Sequence, residues 1–413
     1  MVLFFNWATK QPSIGRDLGV YHVLLKSLGR RKFFEFMVDK FRGMYAERIS
    51  PTCETLDIVF DSFIRARYIS KAVEMFRNLE EFGMKCDTEQ FNVLLRGLCK
   101  RSHIGTANSL LNSMRGKVGF DCVTYNVVIG GWAKLGKVNE MEKCLKLMVE
   151  DGFCPDCKTY SCLIEGLGRA GQVDDAIKIF KSMEGQGCLP DVGVYNAIIG
   201  NYVSVGNFDE CMKYYEEMSR NNCPPNIDSY AKLICGLLKA RKVADALELF
   251  DKMLHRGVIP TTGMVTSFIE PLCRYGPPHA AMIIYKTARK RGCIISLTAY
   301  KLLLMRLSRF GKCGMLLKLW DEMQESGCSS DMDVYEYVVN GLCNNGQLEI
   351  AVCVMEEALR KGFCPSRLMY SKLNKKLMAF DKVETAYKLF LKVKQARANE
   401  NARKYWRANG WHF

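Results

Sequence analysis

Residues 122–156 read CVTYNVVIGGWAKLGKVNEMEKCLKLMVEDGFCPD, and residues 157–191 read CKTYSCLIEGLGRAGQVDDAIKIFKSMEGQGCLPD. Written one above the other, the two stretches agree in their punctuation: Tyr125 over Tyr160, Gly136 over Gly171, Met148 over Met183 and Pro155 over Pro190. Outward from this pair, Tyr195, Tyr230, Tyr300, Tyr335 and Tyr370 keep the register, and Val265 fills the remaining gap. Towards the N-terminus, Phe91, Leu56 and Tyr21 hold the same place. Ten full repeats result: 18–52, 53–87, 88–121, 122–156, 157–191, 192–226, 227–261, 262–296, 297–331 and 332–366. Residues 1–17 precede them as an N-terminal helix or the remnant of an earlier repeat; 367–395 form a final degenerate repeat or cap, and 396–413 a basic aromatic tail. A fixed period of this length is the signature of a solenoid, in which each repeat buries its apolar faces only against its neighbours.

The residues of one repeat explain its shape. Tyr125, Val128, Ile129 and Trp132 recur at helical spacing and predict helix A. Gly136 permits the left-handed turn that ends it. Met141, Leu145 and Met148 give a second stripe, helix B, which Gly152 and Pro155 terminate. The register extends to Gly206, Gly276, Gly311 and Gly346 at the fifteenth place and to Ala72, Ala107, Ala176, Ala246, Ala281, Ala351 and Ala386 at the twentieth. The small twentieth residue lets the two helices approach. Phe41, Phe76, Phe180, Phe250 and Phe390 share the twenty-fourth place, with Tyr215, Tyr285 and Trp320 substituting, and methionines recur at the twenty-seventh. These stripes read as core packing. Periodicity alone leaves the hand of the superhelix open.

Of 413 residues, 48% are apolar and 25% charged, with 59 Lys and Arg against 44 Asp and Glu, a net charge of +15. A basic balance of this size favours polyanionic partners. No apolar run approaches the roughly 20 residues of a membrane-spanning helix. The 19 cysteines are dilute and recur at fixed places, as small packing residues in a reducing compartment do. The opening MVLFFNWATKQPSIGR has no acid before Asp17 but lacks the run of Arg and Ser of a transit peptide. Leu3, Phe4, Trp7 and Ala8 share one face of a helix there. Either targeting is weak, or the chain begins inside a longer natural one.

The Tyr-Asn start of 122–156, the glycine after helix A, the Ala and aromatic of helix B and the closing Pro-Asp resemble the pentatricopeptide repeat of the plant organellar RNA-binding family. The resemblance covers residues 18 to about 395, and unbroken 35-residue repeats are similar to the P class. The related 34-residue tetratricopeptide repeat binds peptides; its Trp-Leu-Gly signature is missing, and only 88–121 has its length. The fold implied is an all-α, right-handed superhelical α-solenoid of stacked helix-turn-helix pairs.

The resemblance also implies a site. In this family the fifth residue of each repeat faces one base of single-stranded RNA and the last residue assists. Unstacked base edges are where RNA sequence is legible, and short polar side chains suit them. Carried over, Asn92 with Asp121 and Asn126 with Asp156 match the uracil combination. Ser161 with Asp191 resembles a guanine pair, and Asn196 with Asn226 a pyrimidine pair with cytosine favoured. The four would read 5′-U-U-G-C/U-3′. Thr266 with Ser296 is weakly purine-like. His22 with Thr52, Asp57 with Asp87, Ala231 with Thr261, Lys301 with Asp331 and Glu336 with Ser366 match no assignment. The competing explanation for the Asn and Ser residues is helix capping.

The Cys154-Pro155-Asp156-Cys157 pair lacks the second pair or the histidines of a structural zinc site. No phosphate-binding glycine loop, zinc-protease motif or nucleophile elbow occurs, and paired acids such as Asp174-Asp175 and Glu216-Glu217 read as solvated helix faces. The expectation is therefore a non-enzyme without cofactor, metal, membrane or small-molecule substrate. It would bind single-stranded RNA, together with RNA-processing proteins, in the mitochondrion or alternatively the plastid. The rival reading is a helical scaffold for a protein partner.

Overall fold

The computed structural model describes residues 17–47 and 49–398. The expected helix over Leu3, Phe4, Trp7 and Ala8, and the tail from 399 on, lie outside them. The described residues form 22 α-helices, one 3-10 turn over Leu79–Phe82 and no β-strand. This is the all-α fold that the repeat implies.

The chain divides between Pro224 and Pro225 into two compact blocks. In the N-terminal block, helices A are Leu18–Arg30, Cys53–Arg65, Thr88–Lys100, Cys122–Lys134, Cys157–Arg169 and Val192–Val205. Helices B alternate with them, from Phe34–Ala46 to Phe208–Arg220. In the C-terminal block, helices A are Ile227–Lys239, Thr262–Arg274, Leu297–Arg309, Met332–Asn344 and Arg367–Ala379, and helices B run from Val243–His255 to Val383–Ala398.

A helix of about 13 residues is marginal alone, so caps and packing decide these elements. Every helix A opens on Asp, Asn, Ser or Thr, whose side chain accepts a backbone N–H two or three residues on. Each cap contributes about 1 kcal/mol. From Thr52 to Ser366 the capping residue is also the last of the preceding repeat. Helices B mostly begin without a side-chain cap.

Helix A ends at a left-handed residue in the fifteenth place. Gly136 (φ 61°) and Gly171 (φ 80°) adopt it freely, while Lys32, Arg67, Ser102, Arg241 and Asp381 adopt it against the usual preference of L-residues, at roughly 1–2 kcal/mol each. Gly276 departs from the expectation, for it is not left-handed. It precedes Pro277, whose ring pushes the residue before it towards extended backbone, and Pro271 lies inside the helix it follows. In the short repeat 88–121, helix B is cut to Ile104–Met114 and the chain turns through Arg115–Val118.

The stripes are core. Tyr125, Tyr195, Tyr230, Tyr300 and Tyr335 are buried, as are the twentieth-place alanines and the methionines Met148, Met183 and Met218. Phe390 is the exception and is exposed, because no further repeat among the described residues covers its helix. The buried tyrosines also carry a polar handle. Tyr195 donates to Glu217 at 3.0 Å and Tyr335 to Glu357 at 3.0 Å, tying helix A to the end of helix B in the same repeat. Glu217 is thus a tether, not simply part of a solvated face.

Within each block, consecutive helices A pack on one another throughout, whereas consecutive helices B meet at few places. The A layer is the tighter one. A Cβ on Gly166 would collide with the Met141 sulfur and come within 3.0 Å of the Ala133 Cα, so the close approach of the two A helices requires glycine there.

Candidate nucleic-acid interface

On a 3.6-residue helix the second, ninth and thirteenth residues of a repeat fall within a sector of about 40°. In repeat 122–156 these are Val123, Gly130 and Lys134, and in 157–191 Lys158, Glu165 and Arg169, all exposed or half-buried. This is the open face of the A layer. The fifth residue lies some 60° round from that sector, at the seam with the next helix A. Asn92, Asn126 and Asn196 are accordingly buried, whereas Asp156, Asp191 and Asn226 are exposed.

Within the blocks, the structure joins the fifth and last residues of the pairs Asn92–Asp121, Asn126–Asp156 and Thr266–Ser296. Asn92 Nδ2 donates to Asp121 Oδ1 at 3.1 Å. Asn126 Nδ2 donates to Asp156 Oδ1 and Oδ2 at 3.0 and 3.2 Å. The Thr266 and Ser296 hydroxyls lie 2.7 Å apart. Ser161 does not reach Asp191 and instead donates to the Gly193 carbonyl at 3.3 Å. Asn196 lies in the N-terminal block and Asn226 opens the first helix of the C-terminal one, where it caps Asp228 and Ser229 at 3.0 Å each.

Capping therefore explains the last residue but not the fifth. Asp121 and Asp156 accept the backbone N–H of Thr124 and Thr159, both at 2.8 Å, completing capping boxes. Burial pushes both carboxyls up, but hydrogen bonds from the threonines and from Asn92 or Asn126 outweigh it and hold them below the usual carboxylate value. Both remain ionised, and an ionised carboxylate only accepts. The amide must turn its NH2 towards it and its oxygen away. For Asn126 that oxygen receives the Thr159 hydroxyl at 2.6 Å. For Asn92, 2% exposed, the oxygen has no protein partner.

Repeat 297–331, left unassigned from sequence, also joins its fifth and last residues, but as an ion cluster. Lys301 pairs with Asp331 and, at 2.7 Å, with Asp333. Burial pulls its ammonium down, and the two carboxylates more than reverse this. His22, likewise unassigned, reaches Thr55 of the next helix A at 2.8 Å rather than its own last residue.

Sequence reasoning missed the thirteenth place. Arg30, Arg65, Lys100, Lys134 and Arg169 occupy it in the N-terminal block, and Lys239, Arg274 and Arg309 in the C-terminal block, all exposed. The same 35-residue register would have found them. Some are answered one turn back: Arg169 by Glu165 at 2.8 Å and Arg274 by Glu270 at 2.6 Å. In repeat 88–121 the ninth residue is instead Arg96, so Arg96 and Lys100 reinforce each other above the Asn92–Asp121 pair. A cation at a helix C-terminus is favoured by the dipole in any case, yet here it also lines the face that carries the polar pairs.

Residues 121–169, 159–193 and 190–239 match the PPR repeat family, and residues 91–117, 228–258, 298–328 and 333–363 match the PPR repeat. Together these segments cover more than half of the chain. The chain belongs to the pentatricopeptide repeat family. A pentatricopeptide repeat-containing protein of Arabidopsis thaliana is 30% identical over 156 residues, 37% of this chain and 24% of that protein. A mitochondrial one from the same plant is 27% identical over 129 residues, 31% of this chain and 25% of that protein. The matched part thus spans about a quarter of these curated relatives. The crystal structure of the maize pentatricopeptide repeat protein PPR10 matches with a TM-score of 0.52 at 21% identity, over 100% of this chain and 66% of that one, a likeness of fold.

Among the described residues no group of three or more His, Cys, Asp or Glu is placed to hold a metal, and no helix is long and apolar enough to cross a membrane. Cys154 is exposed, while Cys157 contacts Cys188 instead.

Proposed function

We propose that this pentatricopeptide repeat chain binds single-stranded RNA along the open face of its A helices and acts by occupancy, without catalysis. The observation that carries this reading is the pairing of Asn92 with Asp121 and of Asn126 with Asp156 beside periodic cations. Cations at the thirteenth place answer phosphates, and the paired amides meet base edges. With its NH2 committed to the carboxylate, the Asn92 oxygen is an acceptor. Once the seam that buries it opens, it suits the N3–H of uracil, which cytosine lacks at that atom. The proposed reading order for residues 88–226 is 5′-U-U-G-C/U-3′, with the guanine step the least supported because Ser161 and Asp191 are not joined. Thr266 with Ser296 would add a further polar contact. Residency in an organelle, the mitochondrion before the plastid, follows the mitochondrial relatives, and the role there would be in transcript processing, splicing, stabilisation or translation.

Filter binding to RNAs with and without a U-U-G-Y core, across a salt series, tests this. The expected result is a preference for the core that persists as salt rises. Removing the charges of Lys100, Lys134 and Arg169 should reduce the salt slope by about 0.7 for each phosphate no longer neutralised. Equal affinity for both RNAs would leave only phosphate attraction. A second reading, a protein-binding scaffold, is favoured for repeats 227–261 and 332–366, whose fifth residues are Ala231 and Glu336.

A further inference from the structure

The cysteine pattern holds one coincidence that RNA binding does not use. Cysteine fills the first place of a repeat at Cys53, Cys122 and Cys157, and the thirty-second at Cys188, Cys223, Cys293 and Cys328. Only repeat 157–191 has both. There the two sulfurs lie 3.2 Å apart, and the Cys157 thiol also donates to the Leu189 carbonyl at 3.2 Å. Cys157 is the first residue of helix A, directly after the cap Asp156, and Cys188 stands three residues before the cap Asp191. Both thiols are half-buried, and solvent reaches the loop that carries Cys188: Leu189 is 76% exposed. Gly187, left-handed at φ 81°, sits beside Cys188 and gives that loop backbone freedom.

We propose that Cys157 and Cys188 form a reversible disulfide, which makes repeat 157–191 a site of thiol–disulfide modification by a small disulfide of the glutathione class. The sulfurs need to close from 3.2 Å to about 2.05 Å, a movement that the loop beside Gly187 can take up. Burial, the neighbouring Cys188 thiol and the acids Asp191 and Asp156 push the Cys157 thiol up to about 12. It is therefore a poor first nucleophile, and Cys188, on the loop beside the exposed Leu189, makes the opening attack. The Cys188 thiolate displaces one glutathione thiolate to give a mixed disulfide. Cys157 then loses its proton to solvent and attacks the Cys188 sulfur, expelling the second glutathione. Two protein thiols are oxidised and one glutathione disulfide is reduced to two glutathiones. The bond staples the two ends of a single repeat, between two helix caps.

The test equilibrates the full chain with mixtures of reduced and oxidised glutathione, traps free thiols with an alkylating reagent, and maps the peptides by mass. The expected product is a Cys157–Cys188 linked peptide, two hydrogens lighter than the separate pair, which grows with the oxidised fraction and vanishes with dithiothreitol. In a Cys157→Ser chain, Cys188 should carry glutathione instead. Circular dichroism of that chain, and the mapping of the unsubstituted one, separate a folding defect from a failure of the chemistry. Equal alkylation of both cysteines at every ratio, or links scattered among the other cysteines, would overturn the proposal. Neither outcome depends on whether RNA binds.

Discussion

Repeats 122–156 and 297–331 share helix lengths, a buried tyrosine and an Asp cap, yet their fifth and last residues form different chemical objects. In the first, a neutral amide lies against a carboxylate, and only one side of the amide is spoken for by that acid. In the second, an ammonium is held by two carboxylates, with charge answered by charge. Shared packing therefore says little about what a repeat presents. A base edge meeting the amide pair has only to replace a neutral hydrogen bond such as that of the Thr159 hydroxyl, whereas a closed ion cluster must be broken, with loss of its Coulombic attraction, before anything else is contacted.

The largest effect should come from removing the residue that serves both fold and site. Asp156→Ala deletes a capping box and the partner of Asn126, and should cost roughly 2 kcal/mol in denaturant unfolding. The equivalent change at Asp331, which caps Val334 at 3.2 Å without a capping box, should cost less. Next, Asn126→Ala should weaken binding to a uracil-containing core by about tenfold, the worth of one good hydrogen bond. Lys301→Ala should leave the same affinity within about twofold; a comparable loss would erase the distinction between the two repeats. A gain of function sharpens it: Lys301→Asn recreates an Asn–Asp pair and should add a preference of a few-fold for uracil at that register, read by competition between RNAs.

The smallest effect is in pH. The Asp156 carboxyl is held below its ordinary value of 3.8 in the folded chain. Its contribution to stability is therefore complete above about pH 4 and disappears as pH falls through the lower, folded value. Asp156→Asn keeps a capping oxygen but does not titrate, so its unfolding midpoint should fall less steeply below pH 4 than that of the unsubstituted chain. Parallel acid limbs would show that the carboxylate is not hydrogen-bonded as described.

Much of this was legible in the residues themselves. Tyrosine, alanine and methionine in fixed register gave the helices and their buried faces, because apolar periodicity and burial are the same physical fact. Gly276 misled because a glycine in register says only that a left-handed turn is allowed; the proline after it decides otherwise. Asn126 and Asp156 were coupled from family resemblance as a base-reading pair, but neither the hydrogen bond between them nor the Thr159 hydroxyl on the same amide, which comes from the following repeat, was foreseen. Ser161 turns its hydroxyl to the Gly193 carbonyl rather than to Asp191, and no one-dimensional pattern reports which acceptor a side chain takes. The cations at the thirteenth place were visible all along, and a net charge of +15 did not say where to look for them.

The shared cap has a consequence for how such an array diversifies. From Thr52 to Ser366, every residue that closes one repeat also starts the next helix A, and every one is Asp, Asn, Ser or Thr. The alphabet available at that position is therefore set by helix initiation before any ligand is considered. Recognition can drift only among the few letters that keep the following helix in place, whereas the fifth residue, which caps nothing, is free to wander from Asn to Lys or Glu. A designer who rewrites the closing letter edits two repeats at once.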